Sequence, residues 1–109
     1  MKKRISEIEN RVCRILGISP RDLQDKSKTD PKYSECRQII MVIARMKLRM
    51  LTLDTISSYY FGNKGKGSNC TYAKKKVRDR YSVDIDFRDK MKPILLEFGI
   101  SERDILGMR

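Results

Sequence analysis

The thirty residues TLDTISSYYFGNKGKGSNCTYAKKKVRDRY, from Thr52 to Tyr81, carry the clearest structural pattern in the chain. Thr52 is a helix N-cap residue, Leu53, Ile56 and Tyr60 recur at helical spacing, and Phe61-Gly62 supplies a stop. Gly62-Asn63-Lys64-Gly65-Lys66-Gly67 holds three glycines and nothing apolar, so it reads as a flexible basic turn. Ser68 can then cap a second helix whose inner face is Cys70, Ala73, Val77 and Tyr81, with Lys74, Lys75, Lys76, Arg78 and Arg80 outside or on the flanks. Two short helices joined by a turn, the second one basic, are the outline of a helix-turn-helix.

The rest of the chain is also helical in period and offers no convincing strand. Ile5, Ile8, Val12, Ile15 and Leu16 share one helical face that Gly17 ends. Ser19-Pro20-Arg21-Asp22-Leu23 reads as an N-cap, a Pro at the first helical position and an acid in the first turn. After a polar loop, Asp30-Pro31 repeats that start ahead of Cys36, Ile39, Ile40, Ile43, Met46 and Met50, the best candidate for a central helix. Phe87, Met91, Ile94, Leu95 and Phe98 form a last stripe, which Pro93 should kink or split. The word Gly17-Ile18-Ser19-Pro20-Arg21-Asp22-Leu23 returns 82 residues later as Gly99-Ile100-Ser101-Glu102-Arg103-Asp104-Ile105. It reads as one helix-stop and helix-start device used twice, too little for a repeat architecture. The expectation is one all-α domain over 1–109, five or six helices around a helix-turn-helix, with an extra C-terminal helical segment at about 87–107.

A chain of 109 residues has room for one compact domain and not for two separate cores. With 39 % hydrophobic and 36 % charged residues it can bury a core beneath a heavily charged surface, which argues against disorder. The absence of His removes the commonest general base and most mixed zinc sites, so neither catalysis, a cofactor nor a metal is expected. Cys13, Cys36 and Cys70 form no Cys-x-x-Cys pair and read as small buried residues of a reducing cytoplasm. Ser6, Glu7 and Glu9 follow the basic start where a signal peptide needs an apolar run, and nothing approaches a membrane span.

The formal charge is +11, the footprint of a polyanion-binding protein. It is uneven: Gly62 to Val83 holds seven Lys or Arg against Asp79 alone, whereas from Asp84 onward six acids face five bases. The basic run also opens on a Gly-rich turn and a helix N-terminus, where free N–H groups and the helix dipole favour phosphate. Gly62 and Gly67 have Walker A spacing, but Ser68 stands where the Lys belongs and no strand precedes, which excludes ATP. On the second helix Ser68 is both an N-cap and a candidate DNA contact, and the Asn69 amide can pair with adenine. Tyr59, Tyr60 and Phe61 read as core and rim, and Met41, Met46 and Met50 as core filler.

Taken in order, Leu16-Gly17-Ile18-Ser19, Asp22-Leu23, Cys36-Arg37-Gln38-Ile39, Leu53, Ile56, Phe61-Gly62 and Ser68 ahead of Ala73-Lys74-Lys75-Lys76-Val77 resemble the C-terminal DNA-binding domain of the bacterial replication initiator DnaA. The resemblance covers about residues 8–87. It implies an all-helical domain of the Trp-repressor-like helix-turn-helix group that binds a short duplex site. It further implies that Arg37, Gln38 and Arg45 contact the DNA backbone and that Lys28 falls where the family places a minor-groove Arg. Where the family carries Asp-His ahead of its recognition helix, this chain has Lys66-Gly67, and its turn is about two residues longer. The family's target sequence is therefore not carried over, and without an ATPase domain the chain is not expected to open an origin itself.

Together these readings give a non-enzymatic double-stranded DNA-binding protein, initiator-like or transcription-regulator-like, cytoplasmic and nucleoid-associated. Its candidate DNA contacts are Lys28, Arg37, Gln38, Arg45, Lys64, Lys66, Ser68, Asn69, Lys74 and Lys75. The rival readings are a protein-interaction module, with dimerisation or docking through the C-terminal helix, and an RNA-binding helical protein.

Overall fold

The structure is a computed structural model, and it describes residues 2–25, 27, 30–62 and 67–107. Among these the chain forms seven helices and no strand: α1 (Lys2–Leu16), α2 (Pro20–Gln24), α3 (Pro31–Lys47), α4 (Leu53–Phe61), α5 (Gly67–Val83), α6 (Ile85–Phe98) and α7 (Glu102–Leu106). The all-α reading holds, with one helix more than expected. The extra one is α7, which the second copy of the Gly-Ile-Ser word starts.

Helix α3 is central. Its six consecutive residues Ile39 to Ala44 are all buried, which a helix permits only when neighbours surround it. It packs against α1, α2, α4 and α5. Pro31 opens it, and the Asp30 side chain accepts the Lys32 N–H at 2.9 Å. The helix ends at Lys47, so Met50 lies beyond it and is 64 % exposed rather than part of the stripe. Helices α3 and α5 run antiparallel: Glu35, early in α3, pairs with Arg80, late in α5, while Arg45, late in α3, is near enough to Cys70, early in α5, for its charge to act on the thiol. The buried residues form one continuous core across all seven helices.

The repeated word performs the same act twice. Gly17 (φ 70°) and Gly99 (φ 64°) take the left-handed conformation that ends a helix, where a side chain would be strained. The next N–H then reaches back five residues, Ile18 to the Cys13 carbonyl at 3.0 Å and Ile100 to the Leu95 carbonyl at 2.9 Å. Each short helix that follows buries one anchor, Leu23 or Ile105. Ser101 completes a capping box with Asp104, whereas Ser19 makes no side-chain cap and leaves the start to Pro20.

Pro93 neither kinks α6 into two helices nor ends it; the helix is continuous from Ile85 to Phe98. Proline removes the hydrogen bond to the carbonyl four residues back. That carbonyl belongs to exposed Asp89, where water can replace the lost donor, and the buried row Phe87, Met91, Ile94, Leu95 and Phe98 anchors both halves. A second polar feature lies beneath α4. Glu9 is 4 % exposed, and its carboxylate accepts from the Tyr60 hydroxyl at 2.7 Å, the Tyr59 hydroxyl at 3.1 Å and the Gln24 amide at 3.3 Å. Burial and the neighbouring carboxylate push the Tyr60 phenol up, so the proton stays on the oxygen that donates. Tyr59 and Tyr60 thus fasten α4 to α1, and Phe61 sits at the rim, 40 % exposed.

Candidate nucleic-acid interface

Helix α4 starts as its sequence dictates, with the Thr52 hydroxyl accepting the Thr55 N–H at 3.1 Å. It stops at Gly62, whose φ of 57° favours glycine. Helix α5 begins two residues before the expected first helical position, Asn69. Gly67 is already helical, so Ser68 lies in the first turn and is not the N-cap. The side chain that reaches this helix head is Asp54, from the first turn of α4, whose Oδ1 accepts the Gly67 N–H. One carboxylate therefore offsets the positive ends of two helices. A Cβ on Gly67 would come within 3.1 Å of Asp54 Oδ1 and 3.3 Å of Leu53 Cβ, so the absence of a side chain there lets the two helices meet. The phosphate seat expected at the α5 head holds an acidic side chain instead.

The rest of α5 divides cleanly around its axis. Cys70, Ala73, Val77 and Tyr81 are buried, and Asn69, Lys74 and Arg78 are half-buried flanks. Ser68, Thr71, Tyr72, Lys75, Lys76 and Asp79 face outward as one stripe at three- and four-residue steps. Tyr72 is 57 % exposed, and the Lys76 ammonium stands 5.8 Å from its ring centroid. The Thr71 hydroxyl donates to the Gly67 carbonyl at 3.2 Å. Two hydroxyls, a phenol and two ammonium groups thus form one solvent-facing row before Asp79 ends it.

The basic run is used in two different ways. Arg80 is committed internally: its guanidinium pairs with Glu35 at 2.9 Å and Asp84 at 3.5 Å and lies 4.8 Å from the Phe87 ring. Glu35 also holds Lys90 at 2.9 Å, which ties α3, α5 and α6 together. Arg78 pairs with Asp79 at 3.4 Å. Lys75 and Lys76, nearer the head, supply the outward positive charge, with Lys74 on the flank.

The other sequence-derived candidates separate in space. Arg45 is exposed on the last turn of α3 and, with Lys74, lies near Cys70; the two charges pull down a thiol that burial pushes up. Lys74 is thus on the same early stretch of α5 as Ser68, Asn69 and Lys75, and the Arg45 charge acts on that stretch from α3. Gln38 lies on the same side of α3 as Arg45, about 10 Å farther along the axis at 1.5 Å per residue. Arg37 turns elsewhere, its Nε donating to the Leu23 carbonyl at 2.8 Å and bracing the end of α2. Lys28, Lys64 and Lys66 lie outside the described residues. Thr71 and Tyr72 were missed by sequence reasoning, and Lys76, read as outward with the basic run, was not among the candidate contacts, although counting three, four and eight residues on from Ser68 finds all three. Asp54 left no such signal, because its contact joins positions 13 apart through the fold.

Among the described residues no group of His, Cys, Asp or Glu is arranged to hold a metal ion, and no helix is long and apolar enough to cross a membrane. Comparisons with protein-family models, with curated proteins and with solved structures find no match to this chain.

Proposed function

We propose that this chain is a non-enzymatic double-stranded DNA-binding protein that lays α5 of an α4-turn-α5 helix-turn-helix against the duplex. The observation that carries the reading is the outward stripe Ser68, Thr71, Tyr72, Lys75 and Lys76, directly opposite the buried face of α5. Hydroxyls near the helix head suit base edges and phosphates, and lysines behind them suit the backbone. Arg45 and Lys74 widen the positive surface beside that head, in a chain of net charge +11. Within this reading the chain resembles the DNA-binding domain of the DnaA initiator, in a Trp-repressor-like arrangement and an initiator-like or regulator-like role. Arg37 then acts by holding α2 in place, and any phosphate contact falls to the rest of its guanidinium. The outward basic row favours a polyanion over a protein partner that docks by apolar contact.

The test is a duplex titration across salt concentrations. If about six phosphates are neutralised, log K falls against log salt with a slope of roughly −5. Single-stranded RNA and duplex RNA of matched length serve as competitors, and duplex DNA is expected to win. A flat salt response, or no duplex binding at low salt, overturns the proposal.

A further inference from the structure

The side of α6 that faces away from the core carries a second pattern. Opposite the buried row Phe87, Met91, Ile94, Leu95 and Phe98, positions 85, 89, 92 and 96 fall within a narrow arc of the helix. They read Ile85, Asp89, Lys92, Leu96. Ile85 is 71 % exposed and Leu96 is 83 % exposed, two large aliphatic side chains standing in water on a heavily charged protein. Between them Asp89 and Lys92 form a surface ion pair at 3.4 Å, with both side chains more than half exposed.

The order apolar, acid, base, apolar is symmetric about the midpoint between Lys90 and Met91. Against a second copy running antiparallel, Ile85 falls opposite Leu96 and Asp89 opposite Lys92, and both relations hold in each direction. That reciprocity is what a twofold contact between identical chains requires. The charge distribution selects the same face. Residues 1–83 are strongly basic, whereas from Asp84 onward acids slightly outnumber bases, so this end is where two +11 chains repel each other least. The α5 head is about 24 Å along its helix from Val83, where the chain turns into α6, so this face is separate from the DNA-facing stripe.

We propose that α6 is a homodimer contact, an antiparallel pairing of two copies of this chain through Ile85, Asp89, Lys92 and Leu96. The stripe spans about 16 Å of helix, which places the contact among small interfaces, reversible and dependent on concentration. The proposal stands whether or not the chain binds DNA.

Analytical ultracentrifugation of the whole chain from about 10 μM to about 1 mM tests it. The weight-average mass is expected to rise from the 12.8 kDa monomer toward twice that value. Leu96→Glu holds the chain monomeric throughout, and Ile85→Ser does the same. Asp89→Lys or Lys92→Asp alone weakens association about five- to tenfold, because each places like charges opposite each other twice. The double variant D89K/K92D recovers wild-type association, since both intermolecular pairs re-form with reversed sign. Thermal melts in the dilute monomer range check that each variant keeps its fold. A mass that stays at 12.8 kDa up to 1 mM overturns the proposal. So does a dimer indifferent to Leu96→Glu, or a double variant no tighter than the single ones.

Discussion

Replacing Asp54 with Asn tests where the head of α5 points. The amide oxygen of Asn can still accept the Gly67 N–H, so the change removes one negative charge and little shape. In the free protein that charge faces the N-termini of α4 and α5, each worth about 0.3–1 kcal/mol to an exposed carboxylate. Asp54→Asn should therefore lower stability by about 1 kcal/mol, a fall in Tm of roughly 4–6 °C for a domain of this size. If the α5 head meets DNA, the same carboxylate stands near phosphate and opposes binding. At about 8 Å separation the repulsion is about 0.5 kcal/mol in bulk water and several times that near a protein surface, before salt screening. Affinity should rise about two- to tenfold. A less stable protein that binds more tightly is an outcome few surface substitutions give. Fluorescence-anisotropy titrations of wild type and variant at matched salt, beside melts of the free proteins, read both quantities. Unchanged or weaker binding by Asp54→Asn would refute the placement of the α5 head against the duplex.

Replacing both Lys75 and Lys76 with Ala should reduce the magnitude of the salt slope by about 1 to 2, whereas Arg80→Ala should leave the slope nearly unchanged and lower Tm, because Arg80 is paired with Glu35 and Asp84. Tyr60→Phe removes the shortest of three donors to buried Glu9 and should cost about 1.5–3 kcal/mol in urea unfolding, more than Tyr59→Phe. Stability should also be lost at both ends of the pH range. The Asp84 and Asp104 carboxyls are held below their usual range first by the backbone N–H groups of Phe87 and Ser101, so their contribution is present above about pH 4 and lost as pH falls through the lowered values. The Tyr60 and Tyr81 phenols are pushed up by burial, so theirs is present below about pH 10 and lost as pH rises further. Circular dichroism across pH reads both limbs; constant helicity down to pH 2 would contradict the first.

What local chemistry governs was legible in the sequence. A cap residue, a proline at the first helical position and a glycine in the left-handed conformation act within a few residues, so Thr52, Asp30-Pro31, Gly62 and both Gly-Ile-Ser words could be read before any fold was known. The buried faces followed from helical period, as Cys70, Ala73, Val77 and Tyr81 show. The tertiary structure decided how charged and polar groups are spent, since their partners lie far away along the chain. It assigned Arg80 to Glu35, Arg37 to the Leu23 carbonyl and the Gly67 N–H to Asp54. It enclosed Glu9 between two tyrosines of α4, and it carried α6 through Pro93 by burying a row on either side. A lysine and an arginine in one basic run are alike in sequence; packing alone determines which faces water and which is already neutralised by an acid 45 residues distant.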